Sequence, residues 1–204
     1  MLSEEIRKYL PQYLSKEDLE NLFNDLEEFP HNHSRFFTTR LSAEEVLFQG
    51  DGLEGLLTIM LPSDRVEERR GIVLSNTCDI DPSNVRKNRP VRLVHAPICN
   101  LEKYEKMLRS YPDSNVQSIE DHLASIRNQH VTNAFYIPND SKSKLGYEGV
   151  VFFDDAVSLP NNYIHLEDAP KKRLFSLSDY GFYVFAFKLS IHFTRLQEGI
   201  SRSD

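Results

Sequence analysis

Apolar positions along this chain keep helical spacing at both ends and strand spacing over much of the middle. Leu19, Leu22, Phe23 and Leu26 follow Ser15 and Asp18, a capping pattern, and predict a helix within residues 1–30 that stops at Phe29-Pro30. Glu17, Asp18, Glu20, Asp25, Glu27 and Glu28 load that helix with negative charge. Such a load suits a solvated outer face, and equally an acidic surface laid over a basic groove or docked on a partner. From about residue 35 short apolar or β-branched runs take over: Phe36 to Thr39, Glu45 to Gln49 and Leu56 to Leu61. Gly50-Asp51-Gly52 and Glu54-Gly55 are the turns between them. Pro62 to Arg70 reads as a polar loop, residues 71–75 as a buried strand, residues 81–90 as a second polar loop, and Val91 to Ile98 as the next strand.

Residues 101–130 return to helical spacing, with Leu101, Tyr104, Met107 and Leu108 in one helix and Val116, Ile119, Leu123 and Ile126 in another, divided at Tyr111-Pro112-Asp113. Asn133 to Pro138 and Val150 to Phe153 read as strands on either side of the polar loop Asp140 to Lys144. The last segment fits two periods. Tyr183, Phe185, Phe187, Leu189, Ile191 and Phe193 alternate like a strand, whereas Phe182, Phe185, Ala186, Leu189, Phe193 and Leu196 share one helical face. The start signal at Ser176 and Asp179 and the length of the run decide for a helix over 177–196. The fold class expected is α+β: a small, strongly bent antiparallel sheet or barrel. A helical segment (1–30) precedes a single barrel-like domain (31–204), which carries a helical insertion (101–130) and a C-terminal helix.

Bulk composition narrows this only slightly. The 204 residues suffice for one core, and the net charge of −7 argues against a generally basic nucleic-acid coat, though not against a local basic groove. Two cysteines make no disulfide framework, which fits a reducing cytoplasm. The start Met1-Leu2-Ser3-Glu4-Glu5 has no apolar signal-peptide core, and no run reaches membrane-spanning length, so no membrane contact is expected.

The chemistry concentrates where the strand Gly71 to Leu74 runs into Ser75-Asn76-Thr77-Cys78-Asp79. A strand ending in consecutive polar groups must satisfy them at a sheet edge or pocket, so Asn76, Thr77, Cys78 and Asp79 are expected to line one concavity. Cys78 beside Asp79 permits a thiol nucleophile with His95 as base, although a neighbouring carboxylate raises a thiol pKa. Cys78, Cys99, His95 and Asp79 are metal-ligand types, but no Cys-x-x-Cys or His-x-x-x-His spacing exists, and His31-Asn32-His33 reads as a surface loop. No metal is expected, and no phosphate-cradling glycine fingerprint points to a nucleotide cofactor.

The order of elements resembles the toxin nucleases of the MazF/PemK type, an SH3-like barrel with a C-terminal helix. Gln49-Gly50-Asp51 stands where that family opens its first barrel strand. Arg69-Arg70-Gly71-Ile72-Val73-Leu74-Ser75 is similar to its Arg-rich entry to a Val-Leu-Ser strand, and His95-Ala96-Pro97-Ile98-Cys99-Asn100 to its Ala-Pro-Ile-Thr-Ser strand. Val150 to Leu159, Lys171-Lys172-Arg173 and Leu177-Ser178 follow in the same order. The resemblance covers residues 49–100 and 148–196. The Ser-Asn-Thr-Cys-Asp run also resembles a group of bacterial proteins with a Ser-(Gln/Asn)-Thr-Cys-Asp signature, which implies no reaction. The toxin resemblance implies RNA cleavage with Arg70 in the family's arginine position. Cys99 and Asn100 stand where the family has Thr and Ser.

Metal-free RNA cleavage needs a base for the 2′-hydroxyl, a cation for the phosphorane and an acid for the leaving oxygen. Arg69 or Arg70 is the candidate cation, His95 the acid or base, and Asp79 an orienting group. That leaves Arg70, His95 and Asp79 as catalytic candidates, and Asn76, Thr77, Cys78, Arg69 and Cys99 as ligand contacts. The replaced Thr and Ser and the acidic charge favour a binding or regulatory module on a toxin-like barrel, in bacterial conflict or nucleic-acid processes. A metal-independent endoribonuclease is the alternative, and a structural subunit the third reading. The partners expected are a protein or single-stranded nucleic acid, or a second copy of the chain. A positive patch at Arg69, Arg70, Arg86, Lys87, Arg89 and Arg92 would favour nucleic acid.

Overall fold

The computed structural model describes residues 16–60, 62, 63, 65–81, 83, 91–160, 163 and 168–194. Eight strands are seen there: β1 (Phe37–Thr38), β2 (Gly52–Met60), β3 (Arg65–Val73), β4 (Arg92–Asn100), β5 (Ala134–Ile137), β6 (Gly149–Phe152), β7 (Val157–Pro160) and β8 (Arg173–Leu177). The helices are α1 (Lys16–Glu27), α2 (Thr77–Ile80), α3 (Leu101–Arg109), α4 (Val116–Arg127), α5 (Ala169–Lys172) and α6 (Asp179–Thr194). The protein is mixed α+β around one antiparallel sheet, in the order β1-β8-β2-β3-β4-β6-β5 with β7 beside β4. The sheet is not closed: its path ends at β1 on one side and β5 on the other.

β4 is the spine of this sheet. His95 to Pro97 pair with β3, Arg92 to His95 pair with β7, and Ile98 to Asn100 pair with β6. A 3-10 turn at Phe153–Asp155 separates β6 from β7, so one side of β4 is lined by a single bent segment. β2 bends too, through a bulge between Leu53 and Leu56 where Gly55 takes φ +76. Three apolar clusters cover the two faces. Ile72, Ala96, Ile98, Phe135 and Phe175 meet Leu22 of α1 and Tyr180, Val184 and Phe185 of α6. Leu53, Leu56, Val73 and Leu93 pack with Leu47 and Ile80. Val150 and Tyr136 pack beneath α3 and α4 through Leu101, Ile119, Leu123 and Ile126.

The two insertion helices begin at Asn caps: Asn100 Oδ1 accepts from Lys103 N at 3.0 Å and Asn115 Oδ1 from Ser118 N at 3.0 Å. The last segment is helical. Tyr180, Val184 and Lys188 recur every four residues on its buried side, and Gly181 lies so close to Phe36 that a Cβ would stand 2.2 Å from the Phe36 oxygen. Ser15, proposed as a cap, and helix residues beyond 194 lie outside the described residues.

Three strand expectations change. Residues 45–49 form no strand, because they belong to a loop held by a buried arginine, which takes the Val46 carbonyl, and by Asp51, which takes the Phe48 amide. Arg173 donates to the carbonyls of Leu41 (2.9 Å), Glu44 (2.7 Å) and Val46, and its Nε donates to Asp51 at 3.0 Å. Asp51 also accepts from Ser176 Oγ at 2.6 Å and Phe48 N at 3.0 Å. The polar run expected to be a loop at 62–70 is strand from Arg65 onward, because β2 supplies a full ladder opposite it. β7 and β8 are short strands embedded in polar or basic sequence, without alternation long enough to announce them.

Candidate functional site

The polar end of β3 closes on itself and on its neighbours. Ser75 Oγ accepts from Val94 N at 2.8 Å, and Asn76 Oδ1 accepts from Cys78 N at 2.9 Å, capping the single turn α2. Thr77 Oγ1 accepts from Gln49 N at 3.0 Å, and Gln49 Nε2 donates to the Leu74 carbonyl at 2.8 Å. Cys78 and Asp79 lie on the exposed side of that turn, and Ile80 is buried beneath it. The hydrogen bonds of Ser75 and Thr77 therefore fasten the strand end to β4 and to the 47–51 loop, while that of Asn76 only caps the turn. None of the cavities considered below is lined by Asn76, Thr77, Cys78 or Asp79.

His95 and Arg70 project to opposite faces of the sheet. Val73 pairs with His95 and belongs to the cluster under Leu53 and Leu93, whereas Arg70 shares its strand face with Ile72 of the opposite cluster. The imidazole is fully buried and its Nε2 lies 3.0 Å from the Leu57 carbonyl, which can only accept, so the proton belongs on Nε2. Nδ1 meets no polar partner among the described residues, and burial holds the ring's pKa below its ordinary value against the opposing pull of the Leu57 bond. Gly71 makes room for this ring, since a Cβ there would stand 3.0 Å from His95 Nδ1 and 2.9 Å from the Ala96 oxygen. Arg70 donates from Nη1 to the Leu145 carbonyl at 2.8 Å and stacks 5.5 Å from the centre of the Tyr147 ring.

Arg69 holds Glu67 Oε2 through Nη2 at 2.9 Å, on the face that also carries Cys99. Burial first, and then Asp155, push the half-buried Cys99 thiol up, with Arg69 opposing. Arg92 is tied to Ser158, with Nε 2.7 Å from its hydroxyl. Arg86, Lys87 and Arg89 lie outside the described residues. What the fold does bring together is a shallow groove of about 380 Å3 where Arg69, Arg70 and Lys172 border Glu54 and Glu68.

Two deeper cavities flank α6. One, of about 490 Å3, is polar and bordered by Arg35, Arg40, Lys142, Asp25 and Asp179. Arg35 there is paired with Asp25 at 3.1 Å, and Lys142 donates to the Ser34 carbonyl at 3.0 Å. The other, of about 480 Å3, is mostly apolar and lies between α1, α6 and the turn after α4. Leu26, Phe29, Val184, Phe187 and Ile191 form its walls, and Lys188 reaches it from the buried side of α6. Only 6% exposed, Lys188 donates from Nζ to the carbonyls of Gln129 at 2.6 Å and Val131 at 2.8 Å. Among the described residues no carboxylate lines this cavity, and burial alone brings the amine down to about 8.

No family model and no curated protein sequence matches the chain.

Lys188 was not among the residues singled out from the sequence. Its signal was the four-residue recurrence Tyr180, Val184, Lys188, which places a lysine on a buried helical stripe. Among the described residues no group of three His, Cys, Asp or Glu side chains could hold a metal ion, and no helix is long and apolar enough to cross a membrane.

Proposed function

We propose that this chain is a ligand-binding or regulatory module, and that its site is the apolar cavity between α1, α6 and the 128–132 turn. One observation carries the reading: a lysine 6% exposed lines a cavity of about 480 Å3 that no carboxylate of the described residues enters. Burying a charge without a counter-ion is costly, and a fold that needed only packing would place Met or Leu there. The cavity falls within the range of roughly 300–1,000 Å3 usual for small-molecule sites, with apolar walls and few polar groups. The test is an amide-resonance titration of the protein with 1-octanol, a neutral apolar probe. Perturbations centred on residues 129–132 and 183–191 are expected. Their absence, or a centre elsewhere, would remove this site.

The endoribonuclease alternative has a different location. The groove shared by Arg69, Arg70 and Lys172 is where an RNA backbone would find cations, and the bent β2–β3–β4 meander followed by β8 and α6 supports a toxin-like, SH3-like barrel scaffold. Against cleavage stand the separation of Arg70 from His95 by the thickness of the sheet and the engagement of Arg70 with Leu145 and Tyr147. Incubation of mixed-sequence single-stranded RNA with chelator decides this: robust cleavage by wild type, lost in Arg70→Ala, would replace the binding reading with the nuclease one.

A further inference from the structure

The apolar cavity of the preceding section holds more information than its shape. Lys188 has three ammonium protons. Two are used on the carbonyls of Gln129 and Val131, and the third has no acceptor among the described residues. The two carbonyls belong to the turn that ends α4, where helix dipoles leave partial negative charge, so they compensate the ammonium in part without neutralising it.

We propose that this cavity takes a small carboxylate carried on an apolar body, with the Lys188 ammonium as its counter-ion; this rests on the reading of the cavity as the ligand site. The lining selects the class. A phosphate or sulfate would need several converging donors or an arginine fork, and among the described residues no arginine lines the cavity. An amine would meet the ammonium and be repelled. A neutral apolar molecule would fill the walls but leave the buried charge as unpaired as before. A monocarboxylate matches one full charge with one full charge, and its hydrocarbon part lies against Leu26, Phe29, Phe187 and Ile191. Phe29 at 37% and Phe187 at 67% exposure stand at the mouth, so the apolar end of the ligand covers surface that water now wets.

Among the described residues the other titratable groups on this lining are His130, from the turn, and Tyr183, from α6 itself; Leu26 of α1 and Phe29 just beyond its end carry no charge. Pairing with an anion stabilises the protonated amine, so occupation must raise the pH at which Lys188 titrates. That value, about 8 in the free protein, is low because of burial.

The experiment compares octanoate with 1-octanol by titration calorimetry at about pH 7, and follows the Lys188 side-chain resonances of wild type through a pH titration with and without saturating octanoate. Octanoate is expected to bind about ten-fold more tightly than octanol, the discrimination usual for a hydrogen bond to a charged group. Lys188→Met is expected to erase that preference while octanol still binds. The wild-type Lys188 midpoint is expected to rise on adding octanoate, a readout that does not depend on any variant folding. Equal affinities for the two probes, or an unmoved Lys188 midpoint, would overturn the carboxylate assignment while leaving the cavity a ligand site. Failure of both probes to bind at residues 129–132 and 183–191 would overturn the assignment and the binding reading together.

Discussion

Lys188 Nζ lies 2.6 Å from the carbonyl oxygen of Gln129, so a buried cation of the last helix holds the turn that ends α4. Gln129 takes φ +58, a left-handed conformation more usual for glycine at a helix end. Its own side chain pays for that by pairing with the Tyr136 backbone, accepting from N at 3.1 Å and donating to O at 2.8 Å. That pairing also covers the free edge of β5, where an unpaired ladder would otherwise stand open. One turn therefore joins the sheet edge, the end of α4 and the wall of the candidate site.

The first prediction follows from this burial. Folded, Lys188 titrates near 8; unfolded, it returns to its ordinary value of 10.5. Between those values the unfolded chain binds more protons than the folded one, so this group makes stability rise as pH increases from about 8 to about 10.5. Tyr180, pushed up to about 12 by burial, and Tyr136, also raised, act oppositely once unfolded tyrosines ionise near pH 10. The measurement is therefore a difference: urea unfolding of wild type and Lys188→Met across that interval. The wild type is expected to gain on the variant as pH rises, and parallel curves would show that Lys188 is not held down.

Arg173 and Asp51, 2% and 1% exposed, form the pair on which the 41–51 loop hangs. Arg173→Met leaves Asp51 buried without its cation and frees the carbonyls of Leu41, Glu44 and Val46. A loss of about 3–5 kcal/mol in denaturant unfolding is expected, as for other broken buried pairs. A loss under about 1 kcal/mol would mean that water or another group replaces the guanidinium.

Much of the helical architecture was legible before the structure. In 101–130 the helical periodicity holds, and Leu101, Ile119, Leu123 and Ile126 are buried as their spacing predicts. Strands were legible where apolar runs are long, as at 91–98, and illegible where tertiary partners make them. Glu67 to Arg70 read as loop because nothing in their composition reveals that β2 will lie opposite. The 45–49 segment failed for the reverse reason, since an arginine more than 120 residues away takes the carbonyls of Glu44 and Val46. The polar cluster at 75–79 was visible as a cluster, but its hydrogen bonds to Gln49 and Val94 are contacts between distant segments. Lys188 was hidden by its own type, because a lysine in a helix reads as a solvated residue.

Tyr180 yields a prediction of opposite sign. Its hydroxyl is buried and has no hydrogen-bond partner among the described residues, a cost the ring need not bear. Tyr180→Phe is expected to be neutral or to stabilise by up to about 1 kcal/mol in thermal or urea unfolding. A loss of more than about 1 kcal/mol would show that the hydroxyl is in fact used, for example through a bound water.

The two cysteines should separate in alkylation. Cys78 is exposed on α2, whereas Cys99 is half-buried with its thiol pKa raised by burial. Because the thiolate is the reactive species, iodoacetamide is expected to modify Cys78 first in the folded protein, as read by peptide mass spectrometry at increasing times. Faster modification of Cys99 would contradict its packing against the apolar cluster beneath α3 and α4.

The most direct measurement is a crystal structure of the protein grown with octanoate. The binding reading predicts density in the cavity between α1, α6 and the 128–132 turn, with a carboxylate oxygen about 3 Å from Lys188 Nζ and the chain running toward Phe187. Octanoate absent from that cavity at saturating concentration, or bound there with its carboxylate turned away from Lys188 into solvent, would contradict the assignment of the cavity to a carboxylate.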